Sequence, residues 1–190
     1  MINEAKQLKA FIKRKIDSLS GNETANKAML ANLRRGIGKE PGSIPILWEA
    51  TLSGMPESLS GKYAEPSYGE WAAHTALTLY ALHQHGKERC MSDERFPLGK
   101  AVRMLVKNDE DENRIKRRLD AAVTADSLQE VSHHLRGIVQ LLKSADIPLC
   151  YPSLAEDIYL FQFSTTRDSV RLHWGRDFYR IGKNEENYKA

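Results

Sequence analysis

The chain has 190 residues, 28 of them Lys or Arg and 25 Asp or Glu, for a formal net charge of +3, and 41% of it is hydrophobic. That balance excludes an intrinsically disordered chain and suits one sizeable domain or two small bundles. No run approaches the roughly 18 apolar residues of a membrane span, and the first twenty residues alternate Lys with apolar positions, so neither a membrane protein nor a signal peptide is expected and the cytoplasm is the expected compartment. Cys90 and Cys150 have no CxxC or Cys/His spacing around them, which argues against a disulfide framework or a zinc site.

Helical periodicity runs through the whole chain. Ala5, Leu8, Phe11, Ile12, Ile16 and Leu19 predict a first helix over Glu4–Leu19, broken at Gly21-Asn22. A second spans Thr24–Leu33 and leads into a Gly/Pro loop that carries Arg34, Arg35 and Lys39. A short helix over Ile46–Leu52 follows, and residues 53–69, rich in Gly, Pro and Ser, read as a surface loop or a joint between two halves.

Ser67–His85 is apolar around most of its circumference, which predicts a central buried helix with Gly86 as its C-terminal stop. Helices are then predicted at Leu98–Val106, Asp109–Val123, Ser127–Ala145, Pro152–Phe163 and Arg167–Ile181. No period-2 pattern persists. The expected architecture is all-α: a compact bundle of about nine helices, in one domain or two sub-bundles.

The basic residues fall on helix faces opposite the apolar stripes. Over Asp109–Val123, Ile115, Leu119, Ala122 and Val123 gather on one side and Arg114, Arg117 and Arg118 on the other, with the acidic run Asp109–Glu112 placed at the favourable end of the helix dipole. Over Ser127–Ala145 the stripe from Leu128 to Leu142 is flanked by Arg136, Gln140 and Lys143. In the last helix Val170, Trp174, Phe178 and Ile181 form a stripe, with His173, Arg176 and Arg180 elsewhere. Lys100 and Arg103 add to the set.

Any soluble helix needs a polar face, so each cluster alone is explained by solvation. Arginine outnumbers lysine in the later clusters, however, and interleaved Glu at i,i+4 is missing from them, which favours phosphate contact. No aromatic platform of the RRM kind is present, so holding the backbone is expected rather than base stacking.

Signatures of catalysis are lacking: there is no HExxH, GxSxG or P-loop, and adjacent His133 and His134 diverge on a helix. His83, His85 and Asp157 are the remaining candidates for a metal-dependent hydrolase; a helix-terminal role suits the two histidines better, and Asp157 is expected near a helix start. Trp71, Trp174, Phe161 and Phe163 read as core. No enzyme, metal or cofactor is expected.

Five segments in order then carry a resemblance: Trp71–Gln84, Pro97–Leu105, Arg114–Leu119, Leu135–Leu142 and Val170–Tyr179. Together, from about Leu30 to Tyr179, they resemble the CasB family, the small subunit of the type I-E CRISPR Cascade surveillance complex. The resemblance implies an all-helical, non-catalytic subunit, present as two copies beside other Cascade subunits, that contacts guide RNA, target strand and displaced strand and stabilises the R-loop. It places basic contact positions at Arg34, Arg35, Lys100, Arg117 or Arg118, and Arg136, with Lys100 standing where the family often has Arg. A scaffold whose arginines meet acidic proteins, with no nucleic acid involved, is the alternative.

Overall fold

The structure is a computed structural model that describes residues 1–20 and 23–180; Gly21, Asn22, Ile181 and the Asp109 side chain lie outside the described residues. It contains, among the described residues, nine α-helices and no strand: α1 (Ile2–Leu19), α2 (Thr24–Arg35), α3 (Trp48–Thr51), α4 (Tyr68–Gln84), α5 (Leu98–Arg103), α6 (Asp109–Thr124), α7 (Leu128–Ser144), α8 (Tyr151–Phe161) and α9 (Ser164–Arg180). Short 3-10 turns at Pro45–Leu47 and Glu57–Leu59 flank α3.

Helix α4 is the hub. Its start is set by a reciprocal cap: Ser67 Oγ accepts from the Glu70 amide at 3.0 Å and Glu70 Oε2 accepts from the Ser67 amide at 2.7 Å. Twelve of its 17 residues are buried, from Gly69 to His83, because α1, α2, α7 and α8 all pack on it. Beyond it, α1 lies along α8, α6 along α7 and α5 along α9. The last pair approaches closely at Gly99, where a Cβ would overlap the Trp174 carbonyl. The buried apolar side chains of all nine helices form one cluster, with Trp174 and Phe161 stacked 6.1 Å apart inside it.

Boundaries differ from the sequence expectation where side chains replace glycine or proline as stop signals. Residues 152–163 and 167–181 were expected as two helices, whereas α8 ends at Phe161 and α9 begins at Ser164, so the break falls earlier, at Gln162 and Phe163. Thr166 Oγ1 donates to Leu160 O at 2.6 Å and Arg167 Nε to Phe161 O at 3.0 Å. These side chains satisfy the last carbonyls of α8, so the chain turns there with no helix breaker. The 53–69 segment is anchored at Leu59, which is buried against Gly69.

Two candidates lie deeper than expected. His83, expected at a helix end, is fully buried, with Nδ1 2.9 Å from the Tyr151 hydroxyl. Burial, reinforced by Lys87, pushes its pKa down to about 4, so the ring is neutral. Asp157 lies in the middle of α8 rather than near its start, and accepts from Trp174 Nε1 at 2.7 Å. Burial raises its pKa, against the opposing effect of that hydrogen bond.

Candidate nucleic-acid interface

The α6–α7 pair builds its outer surface from what its core rejects. Ile115, Leu119 and Ala122 of α6 are buried along with Val131, Leu135, Ile138 and Leu142 of α7. The helical period then forces Arg117, Arg118 and Arg136 outward, and all three are exposed. Arg118 reaches across to α7 at Gly137, its Nη1 3.8 Å from where a Gly137 Cβ would stand, an ordinary van der Waals contact. Arg118 and Arg136 both border a recess with His133, His134 and Gln140. Among the described residues no carboxylate pairs with Arg118 or Arg136.

Two turns further along α7, about 10 Å away, a second basic group gathers. Lys143 Nζ donates to His85 Nδ1 at 3.3 Å, with Arg34 close by at the end of α2. Arg34 and then Lys143 hold His85 below its ordinary pKa, while burial, Arg34 and Lys87 hold Lys143 below its own. Mutual repulsion of this kind marks a positive potential that an anion would relieve. Lys27, Arg34, His85, Lys87 and Glu88 line a groove of about 1010 Å³ at this end, with Lys87 paired to Asp146 at 2.8 Å. Lys39 borders a smaller cleft together with Arg136, so Arg34, Lys39, Arg118, Arg136 and Lys143 share one side of the molecule.

A family model, CRISPR-associated protein Cse2, matches residues 29–179. The chain belongs to the CRISPR-associated Cse2 family. CasB from Thermobifida fusca is 30% identical and superposes with a TM-score of 0.78, over 91% of this chain and 98% of that one. CasB from M. ruber (24% identity, TM-score 0.66, 97% and 98% covered) shares the fold. So does a Cse2-family CRISPR-associated protein from Thermus thermophilus (19%, 0.66, 92% and 97%). No curated protein matches. The family is one of CRISPR-associated proteins, and no helix among the described residues is long and apolar enough to cross a membrane.

The other basic residues of this Cse2-family chain are distributed differently. Arg103 pairs with Glu112 at 2.9 Å and lies over the Phe178 ring, 5.5 Å from its centroid, which joins α5, α6 and α9. Arg114 pairs with Asp111 at 2.6 Å. The acidic run at the start of α6 therefore does more than complement the dipole; it engages two of the arginines expected to be unaccompanied. Lys100 half-covers Phe96, with Nζ 5.3 Å from the ring centroid. Arg117, Arg176 and Arg180 are exposed on α6 and α9, and Arg35 is exposed at the end of α2.

His133 and His134 stack edge-on at 5.6 Å, and no group of three His, Cys, Asp or Glu side chains suited to a metal occurs among the described residues. His83, His85 and Asp157 are each held in a different contact, with Tyr151, Lys143 and Trp174 respectively.

Sequence reading passed over Lys27 and Lys87, which join Arg34 in the groove, because nothing along the chain links residues so far apart. It also assigned Trp71 to the core, whereas Trp71 is half-buried and lines the cleft beside Lys39 and Arg136.

Proposed function

We propose that this chain is a non-catalytic subunit of a Cascade-type CRISPR surveillance complex that grips nucleic-acid backbone and stabilises the R-loop. Its partners in this reading are guide RNA, the target and displaced DNA strands, the other Cascade subunits and a second copy of itself. The observation that carries it is the placement of Arg118 and Arg136 on the rim of one recess, with no carboxylate partner for either among the described residues. Two guanidinium groups on the rim of one recess and without a carboxylate partner among the described residues suit phosphates, giving affinity without reading sequence. Exchange of a DNA duplex for a guide heteroduplex is nearly balanced in free energy, so a few backbone contacts suffice to tip it.

The test is a titration of the full chain with single- and double-stranded nucleic acid at several salt concentrations, beside the Arg118→Ala/Arg136→Ala double variant. Each lost phosphate contact lowers the salt slope by about 0.9 for duplex and about 0.7 for single strands. An unchanged slope in the double variant would remove this surface from the interface.

A further inference from the structure

Between α4, α7 and the turn at residues 36–39 lies a cleft of about 240 Å³. Six of its side chains decide what it can hold: Trp71, His74 and Thr78 from α4, Gln129 and Arg136 from α7, and Lys39 from the turn. Gly36 lets the turn press against His74, since a Cβ there would come within 2.7 Å of Leu47 Cδ1 and 3.1 Å of His74 Cε1. The Gly36 carbonyl then accepts from His74 Nε2 at 2.8 Å. A carbonyl can only accept, so the proton sits on Nε2, and burial keeps the ring neutral by lowering its pKa. Among the described residues His74 Nδ1 has no partner, in a residue only 3% exposed, an arrangement that is costly unless something else supplies a donor.

We propose that this cleft receives one unstacked base of a bound strand. The half-buried Trp71 ring offers a stacking face, and the exposed Gln129 amide can both donate and accept. Thr78 Oγ1 already donates to the Thr75 carbonyl at 3.1 Å, so it also acts as an acceptor toward a ligand. Lys39 and Arg136 meet the phosphates on either side of the inserted nucleotide. An anionic ligand answers the two cations, and a flat ligand with hydrogen-bonding edges answers Trp71 and Gln129; a nucleotide within a strand has all three properties. The volume takes one base and not a base pair, so the strand must be single or locally unpaired there. This inference rests on the reading of the chain as a nucleic-acid holder and adds a base contact to a backbone grip.

The experiment compares the full chain's affinity for a short single-stranded DNA and for an equal-length strand of abasic nucleotides, in wild type, Trp71→Ala, Trp71→Phe and Gln129→Ala, with helicity followed by circular dichroism. Wild type should prefer the base-bearing strand by about tenfold or more, the range of one aromatic stack. Trp71→Ala should lose most of that preference and Trp71→Phe should keep it, with the salt slope unchanged in both. Gln129→Ala, a change on an exposed position, should reduce the preference about two- to tenfold and serves if Trp71→Ala fails to fold. A preference as large in Trp71→Ala and Gln129→Ala as in wild type overturns the cleft while leaving the backbone grip intact. Failure of wild type to hold either strand at low salt overturns both.

Discussion

Arginines on two sides of this molecule look alike in the sequence and meet different neighbours. At the start of α6 and along α5 and α9, Arg103, Arg114 and Arg171 are tied down. Arg103 joins Glu112 and covers Phe178, and Arg114 joins Asp111. Arg171 donates from Nη2 to the Ala125 carbonyl at 2.8 Å, pairs with Asp168 at 3.1 Å and lies over Phe161. On the α6–α7 side Arg118 and Arg136 border one recess with neither a carboxylate nor a carbonyl claiming them among the described residues. A charge with a partner holds helices together; charges crowded without one store a potential that favours an anion. The difference lies in the neighbours, not in the residue.

That contrast can be broken most severely from beneath the tied side. Trp174 is fully buried, stacks on Phe161 and donates to Asp157. Trp174→Ala should cost about 3–5 kcal/mol in urea unfolding, from the cavity and the orphaned carboxyl together. Arg171→Ala should cost less, about 1–3 kcal/mol for a charged group hydrogen-bonded to a carbonyl, and should leave the salt slope of nucleic-acid retention unchanged. A slope that fell with Arg171→Ala would erase the distinction between the two sides.

Asp157 sharpens the comparison through pH. Burial raises its folded pKa from 3.8 to about 7, so the folded chain holds that proton where the unfolded chain has released it. Its stabilising contribution is complete below the unfolded value and is lost as pH rises through the folded one. His83, pushed down to about 4 by burial, acts in the opposite sense and adds stability as pH rises from about 4 toward the ordinary histidine value near 6.5. Asp157→Asn removes only the first effect. Its stability relative to wild type, measured by denaturation at several pH values, should therefore increase from pH 4 to 7; a difference flat with pH would refute the assignment.

The smallest effect on stability belongs to the other side. Arg118→Ala with Arg136→Ala should move unfolding by no more than about 0.5 kcal/mol, as for surface positions without partners, even as it weakens retention of nucleic acid. A loss of several kcal/mol would mean that these arginines, too, are structural ties.

Much of the fold was legible because a helix advertises itself locally. The stripes Ala5–Leu19, Leu128–Leu142 and Val170–Phe178 all face the core, and α4 is the central helix its apolar circumference announced. The break between α8 and α9 was misplaced, because Thr166 and Arg167 end α8 through bonds back to its carbonyls and carry no breaker signature. His83 sits in the last turn of α4, as expected, but its burial against Tyr151 escaped the sequence because that partner is 68 positions away. Trp71 was read as core because aromatic residues at helical spacing usually are, and only the turn folded over His74 opens a cleft beside it.

By itself the sequence determined an all-helical chain, the face each helix buries and the outward direction of its arginines, since a period of 3.6 residues orders side chains around one axis. Only the tertiary structure decided that Arg118 reaches α7 at Gly137 and that Arg103 meets Glu112. It also decided that Gly36 leaves His74 with one nitrogen unanswered. Periodicity relates residues within a helix, whereas partnership is set by which helices pack and how closely, and that depends on contacts between residues far apart in the chain.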